Sequence, residues 1–211
     1  QGLKKVYGLG VPVTFHVNGD AAVDSLIKAH EFAAADDLTR DRNVTAIHAQ
    51  FTRKDQIPLY VKYKIRPSFY TLHTYYFAEA HIANRGKAQA MYISPMRDAI
   101  DAGLHPTNHT DAVVAPLDQM FMLWSAVNRI SRAGAEIGPD QRVTPLEGLK
   151  AMTIWAAEQY GEQASKGSLE TGKLADLVIL DKNPLTVHRM AIKDIRVIET
   201  LKEGKPNYRA P

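Results

Sequence analysis

Short apolar runs that end in polar side chains constrain the fold of this chain more than any other feature. Residues 11–15 form such a run, which is followed by His16. The pattern recurs at residues 44–48, which end in a histidine, and in altered form at the His-Thr-Asp sequence of residues 109–111. In α/β folds the chemistry lies at the carboxyl ends of the strands. One such histidine is weak evidence, but three polar strand ends in series predict a functional edge of a sheet.

Alternating strands and helices predict an α/β fold with a parallel sheet up to about residue 160. Strands are predicted near residues 11–15, 44–47, 65–70 and 104–108. Four such units are half of a closed (β/α)8 barrel, which needs eight units and about 250 residues. Because half a barrel would expose two parallel edges, we expect another chain, or residues outside this sequence, to supply the other half.

The final part of the chain has a different pattern. It is rich in turns and contains short β-like runs at residues 177–180 and 195–201. The last segment, residues 197–208, is expected to form a hairpin that turns at Glu203-Gly204. This pattern predicts a small separate β module.

Local signals predict where several helices begin. Asp20 is expected to cap a helix that extends to Ala35, and Ser94-Pro95 to start another. Thr144-Pro145 followed by Glu147 is typical of a helix start, and this helix is expected to extend to about Glu158. Residues 71–77 are interpreted as a loop rich in aromatic and polar side chains.

The composition excludes several classes of function. The 26 basic and 23 acidic residues leave a net charge of +3, and the basic residues are scattered, which argues against nucleic-acid binding. The absence of cysteine excludes disulfides and thiolate metal sites. No apolar run approaches the roughly 20 residues that span a bilayer.

The chain starts at Gln1 with no visible signal peptide, and residues 1–10 resemble the end of a helix, so we expect it to begin within a fold.

The order and spacing of five motifs give the sequence a family resemblance. It resembles the carboxyl-terminal half of a metal-dependent amidohydrolase of amidohydrolase family 3, the group that includes N-substituted formamide deformylases. The resemblance implies an α/β fold in which residues 1–160 are strands five to eight of a TIM-type (β/α)8 barrel. Residues 161–211 would then be the carboxyl-terminal part of a small β-sandwich. The motifs are Phe15–Val23, Ile47–Gln50, Leu72–Tyr76, Thr110–Pro116 and Gly167–Asp181.

The same resemblance implies roles for individual residues. His16 would be the metal ligand of strand five and His48 the metal ligand of strand six. Asp111 would be the aspartate of strand eight, which binds a metal and moves protons. The His-x-His pair of the first strand is absent from these 211 residues, so we expect the chain alone to bind metal weakly and to be inactive.

Two neutral imidazoles and a carboxylate suit Zn²⁺ or another divalent metal, and a water on such an ion has a pKa lowered to about 7. Asp111 is suited to accept the proton of that water and return it to a leaving nitrogen. Together with these residues, the family resemblance implies metal-dependent hydrolysis of a non-peptide C–N bond in an amide, formamide or cyclic amide. The complete enzyme would hold one or two ions, with a small molecule as its substrate, and homo-oligomerisation is left open.

Other interpretations of these residues stay open. His16 and His48 could be satisfied core histidines, and Asp111 a turn residue. His73 and Tyr75 suit substrate contact, but the alternative is a loop packed by its own aromatic rings. His109 is interpreted either as a residue that contacts a metal ligand without binding the metal itself, or as a solvated side chain. The chain could also be an inactive fragment or a non-catalytic homologue that acts through partners. The remaining histidines are expected to be structural or exposed: His30, His81, His105 and His188.

Overall fold

The computed structural model describes all 211 residues and contains two sheets. The larger is parallel, with its four strands in sequence order, and the smaller is an antiparallel sheet of three strands. The predicted α/β fold with a parallel sheet is confirmed. The strands are β1 (Val13–Val17), β2 (Val44–His48), β3 (Ile65–Phe69), β4 (Thr107–Asn108), β5 (Leu177–Leu180), β6 (Val197–Lys202) and β7 (Lys205–Arg209).

Ten α-helices surround and connect these strands. The first ends at Gly10, whose φ of 68° is the left-handed conformation that glycine adopts without strain. The helices are α1 (Gly2–Leu9), α2 (Asp20–Ala33), α3 (Ile57–Tyr63), α4 (His73–Tyr76), α5 (Ala78–Arg85), α6 (Lys87–Met91), α7 (Met96–Asp101), α8 (Gln119–Asn128), α9 (Pro145–Met152) and α10 (Ile154–Gln159). None of them is long and apolar enough to cross a membrane.

The register of the parallel sheet brings the ends of its strands side by side. His48 at the end of β2 pairs with Val17 of β1 and with Phe69 of β3. Phe69 in turn pairs with Asn108, the last residue of β4. The polar residues that follow these strands therefore lie along one edge of the sheet, as the sequence predicts.

The main core lies between the parallel sheet and its helices and contains 26 buried residues. Val44, Ala46 and Ile65 are completely buried in the central strands, and Leu123 of α8 is completely buried as well. Burying a side chain of valine, leucine or isoleucine contributes about 1.5–3 kcal/mol. This core fixes the strands whose ends carry the candidate site.

β1 is an edge strand with two different faces. Val13 and Phe15 are partly buried, whereas Thr14 and His16, at the alternate positions, are exposed. Successive side chains of a strand point to opposite faces. One face of β1 therefore packs on the core, and His16 belongs to the other face.

Several local predictions need correction. Gly19 rather than Asp20 occupies the N-cap of α2, and Asp20 is its first helical residue. Residues 73–76 form the short helix α4 instead of a loop. The helix after Ser94-Pro95 starts at Met96, with Pro95 as its N-cap.

The helix that begins at Thr144 confirms its predicted start but is interrupted. The Thr144 hydroxyl accepts from the Glu147 backbone N–H, and the Glu147 carboxylate accepts from the Thr144 backbone N–H, which is a complete capping box. Thr153, with φ −126° and ψ −94°, separates α9 from α10. The predicted continuous helix to Glu158 is therefore two helices.

The antiparallel sheet confirms the predicted hairpin. β6 and β7 are joined at Glu203-Gly204, where both residues have positive φ, 51° and 77°. β5 pairs with β6 on the other side. The boundary of the two units near residue 160 stays a prediction.

Candidate active site

Two of the strand-end histidines lie against each other. The ring centroids of His16 and His48 are 4.6 Å apart, and the planes are nearly perpendicular at 80°. His48 is buried with 5% of its surface exposed, whereas His16 is exposed. The structure thus brings together the two residues that the sequence selects first.

The backbone of His48 explains how the two rings meet. In the register of β1 and β2, His16 pairs with Ile47, so strict alternation would send the His48 side chain to the opposite face. His48 has φ 70° and Ala49 φ 46°, in the left-handed region that is costly for residues with a side chain. This departure from strand geometry breaks the alternation, and such strain clusters at functional sites.

His109 supports His48 from behind. Nε2 of His109 lies 3.2 Å from Nδ1 of His48, and Nδ1 of His109 lies 3.0 Å from the Ser68 hydroxyl. The three side chains form a hydrogen-bonded chain from the penultimate residue of β3 to the end of β2. Since Nδ1 of His48 is engaged in this chain, Nε2 is the nitrogen left for another partner.

His73 is a second buried histidine of the cluster. Only 8% of its surface is exposed, and its Nδ1 has no hydrogen-bond partner. Its ring centroid lies 6.1 Å from that of His48 and 6.0 Å from that of His81. Burial, followed by the charges of His81 and His48, lowers the pKa of His73 to about 2. His73 is therefore neutral in the folded protein at neutral pH.

His81, which the sequence assigns to the structural or exposed histidines, lies beside His73 in the same cluster. It is half-buried, and its Nε2 lies 2.6 Å from the Gln50 side-chain nitrogen. The sequence gives no strand-end signal for His81 because helix α5 delivers it from outside the sheet. The motif Ile47–Gln50 contains its partner, but a pair 31 residues apart has no local pattern.

Tyr70 is a member of the site that the sequence does not single out. It is completely buried, and its hydroxyl has no hydrogen-bond partner. Its ring centroid lies 4.4 Å from that of His73 and 5.8 Å from that of His109. Burial, with the Asp111 charge as a second cause, raises the pKa of Tyr70 to about 12. The hydroxyl therefore keeps its proton and lies within electrostatic reach of Asp111.

Asp111 lies near the histidines and influences their charge. It is half-buried and adopts a left-handed backbone with φ 49°. Burial lowers the pKa of His48 and lowers that of His109 to about 4, and in both cases the Asp111 carboxylate acts in the opposite direction. Both rings are thus uncharged at neutral pH despite the nearby carboxylate.

The donor chemistry of the site fits a divalent metal, but the ligand set is not assembled. Neutral imidazole is the form of histidine that binds metals, and His48 has its Nε2 free of protein partners. No three histidine, aspartate or glutamate side chains converge so as to hold an ion. The rings of His16 and His48 are in contact. The Asp111 carboxylate influences the pKa of His48, but the three side chains do not converge on one metal position.

Tyr75 lies in a different environment from His73. Its ring packs against Phe121 at 4.8 Å and Trp124 at 6.0 Å between centroids, and none of its ring contacts involves a histidine. It borders a shallow cavity of about 350 Å³ that Pro116 and Arg132 also line. Its predicted contact with substrate stays a prediction.

A larger cavity adjoins the loops that follow β1 and β2. Its volume is about 490 Å³. Acidic, cationic and apolar side chains all line it. Its lining residues include Asp20, Phe51, Arg53, Lys54, Met91 and Tyr92.

Comparison with known proteins decides the family. The sequence profile of the amidohydrolase family matches residues 3–208. The chain belongs to the amidohydrolase family. The four parallel strands and the cluster at their carboxyl ends are consistent with this membership.

Two curated proteins resemble the chain over most of its length. An N-substituted formamide deformylase from Arthrobacter pascens is 27% identical over 205 residues, which are 95% of this chain and 37% of the relative. A protein of Arabidopsis thaliana named LONG AFTER FAR-RED 3 is 28% identical over 82% of this chain and 30% of its own length. This chain therefore spans about a third of the length of these curated relatives.

A solved structure of an uncharacterized metal-dependent hydrolase from Pyrococcus horikoshii has the same fold. It superposes with a TM-score of 0.73 and 25% identity, over 86% of this chain and 36% of that one.

Proposed function

We propose that this amidohydrolase chain is part of a metal-dependent hydrolase that cleaves a non-peptide C–N bond in a small amide, formamide or cyclic amide. The pairing of His16 and His48, with ring centroids 4.6 Å apart at the carboxyl edge of the parallel sheet, is the observation that carries the proposal. The relative from Arthrobacter pascens, named for deformylation of N-substituted formamides, supports the substrate class.

His16, His48 and Asp111 are the proposed ligands of Zn²⁺ or another divalent metal. A bound metal of this kind polarises a carbonyl and lowers the pKa of water to about 7. The protein's own contribution is to keep His48 neutral by burial and to direct its Nε2 outward through the Ser68–His109 chain. Partners behind a ligand histidine fix its tautomer and orientation.

Asp111 is the proposed general base and general acid. Its carboxylate accepts one proton as the water oxygen bonds to the carbonyl carbon, and it gives this proton to the nitrogen as the C–N bond breaks. The reaction consumes one water and releases a carboxylic acid and an amine. His73 and Tyr75 are the proposed substrate contacts, His73 beside His48 and Tyr75 at the rim of the shallow cavity.

The proposed whole protein has a complete (β/α)8 barrel. In it, residues 1–160 are strands five to eight with their helices, and residues 161–211 belong to a small β-sandwich. The free edge of β1, the exposure of His16 and the length of the relatives support this arrangement. The 211-residue chain alone is then expected to be inactive and to bind Zn²⁺ weakly, and tight stoichiometric binding in a titration would overturn that expectation.

An assay of the full-length protein tests the function. After removal of metal with a chelator, the protein is incubated with N-butylformamide, and the released amine is measured with and without added Zn²⁺. Amine release that depends on Zn²⁺ is expected. Release that is unaffected by the chelator would contradict metal dependence, and no release from any formamide, amide or cyclic amide tested would favour a non-catalytic homologue.

A further inference from the structure

Two buried polar atoms without hydrogen-bond partners occur in residues that touch each other. They are the hydroxyl of Tyr70 and Nδ1 of His73, whose rings meet edge to face at 4.4 Å between centroids. Buried polar atoms are rarely unpaired in native proteins, so each one calls for an explanation. A ligand that reaches this point would supply the missing partner.

The ring of Tyr70 packs against neighbouring side chains, whereas its hydroxyl makes no hydrogen bond. The ring stacks on His109 and meets His48 edge to face at 6.4 Å between centroids. Tyr70 also belongs to a small buried cluster with Leu72, Ala115 and Met122. A rigid ring with one unused donor is preorganised for a hydrogen bond to a bound molecule.

The position of Tyr70 puts this donor at the proposed site. Tyr70 directly follows β3, between His48 at the end of β2 and His109 after β4. Its ring centroid lies 6.4 Å from that of His48 and 5.8 Å from that of His109, on the same edge of the sheet as the proposed ligands.

We propose that Tyr70 is a catalytic residue whose hydroxyl donates a hydrogen bond to the oxygen of the scissile carbonyl. This role rests on the proposed function. Negative charge grows on that oxygen as the C–O bond to water forms, so the hydrogen bond is stronger in the transition state than with bound substrate. No proton is transferred, and Tyr70 is unchanged after each turnover.

The Tyr70→Phe variant of the full-length, Zn²⁺-loaded protein tests this role with N-butylformamide as substrate. It removes one hydroxyl and keeps the ring. We expect kcat/KM to fall about 100-fold, as for loss of one donor to a developing oxyanion, with most of the loss in kcat. Because the hydroxyl makes no hydrogen bond in the protein, the melting temperature should not fall.

Tyr60→Phe is the matched control. Tyr60 is also completely buried, but its hydroxyl lies 3.3 Å from that of Thr52. Loss of this hydrogen bond should lower the melting temperature and leave kcat/KM within threefold of the unsubstituted protein. The two variants thus separate loss of a buried hydroxyl from loss of a catalytic one.

Substitution of the substrate oxygen provides a second test. In N-butylthioformamide, sulfur replaces the carbonyl oxygen and is a weaker hydrogen-bond acceptor. The effect of Tyr70→Phe should therefore shrink to a few-fold with this substrate, as expected when the two changes remove the same interaction. An equal loss with both substrates would contradict a contact between Tyr70 and the carbonyl.

The remaining outcomes distinguish this role from the proposed function. An active unsubstituted protein with a fully active Tyr70→Phe variant would overturn the role of Tyr70 alone. A loss of activity accompanied by a lower melting temperature, as in the control, would also overturn it. If the unsubstituted protein hydrolyses no formamide, amide or cyclic amide, the proposed function fails and the role of Tyr70 fails with it.

Discussion

Nδ1 of His48 lies 3.2 Å from Nε2 of His109, and this contact links the ends of two strands that are adjacent to β3 on its two sides. The contact defines which nitrogen of His48 is available to other groups. It also explains why a histidine can occupy position 109, next to the proposed catalytic carboxylate, without becoming a ligand itself.

The first prediction concerns this contact. In the full-length protein, His109→Ala should weaken Zn²⁺ binding about 10- to 100-fold, as is typical when the partner behind a ligand histidine is lost. Isothermal titration measures the effect. His105→Ala is the control, since His105 is exposed, pairs with Glu158 and has no contact with the cluster. Equal affinity of the two variants would contradict the supporting role of His109.

The second prediction concerns Asp111. Replacement by asparagine keeps the volume of the side chain but removes a proton-accepting oxygen. Turnover by the full-length protein should fall about 100- to 10,000-fold or become undetectable, because that is the range for loss of general acid–base catalysis. The circular dichroism spectrum and melting temperature should stay unchanged. Retained turnover would refute the assignment of the base.

The third prediction concerns pH. The pKa values of His73 and His109 are lowered in the folded protein to about 2 and about 4, so the unfolded state binds more protons below its own histidine pKa. The free energy of unfolding of the metal-free protein should therefore be highest above about pH 6.5 and fall as the pH decreases. Each histidine contributes a slope of at most about 1.4 kcal/mol per pH unit, which for His109 ends near pH 4.

Urea unfolding at pH 7.5 and pH 5 measures this dependence. A His73→Phe variant should lose part of the difference between the two pH values, because a side chain that does not titrate replaces the buried imidazole. A difference that is the same in the variant and the unsubstituted protein would show that His73 does not contribute.

The fourth prediction concerns the capping box of α9. Thr144→Ala removes the side chain that accepts from the Glu147 N–H and should lower the free energy of unfolding by about 1 kcal/mol. Thr171→Ala is the control at an exposed position. Urea unfolding compares them, and equal effects would argue that the cap has no influence on stability.

Much of the parallel sheet could be predicted from sequence, because short apolar runs between helical patterns are typical of buried parallel strands. The prediction for β2 at residues 44–47 ends one residue before the observed strand, and that for β3 at 65–70 ends one residue after it. Helix α4 could not be predicted in the same way. It has only four residues and no side-chain cap, so no periodic pattern or start signal exists.

The candidate site was only partly predictable for a different reason. His16, His48 and Asp111 follow strands, and that position is visible in the sequence. His81 enters the site through long-range packing, which depends on where α5 lies in three dimensions. Tyr70 does follow β3, but an aromatic residue at the end of an apolar run is typical of a core position, so its sequence gives no functional signal. The left-handed backbone at His48 has no clear sequence signal either, since only a few per cent of residues other than glycine adopt it, although histidine is enriched among them.

The central claim is that His16 and His48 together hold a metal, and Zn²⁺ titration of the full-length protein tests it most directly. The unsubstituted protein, His16→Asn and His48→Asn are compared after complete removal of metal, with His105→Asn as the control. We expect stoichiometric binding by the unsubstituted protein and the control, and a loss of affinity in both other variants. Unchanged Zn²⁺ affinity in either His16→Asn or His48→Asn would contradict it.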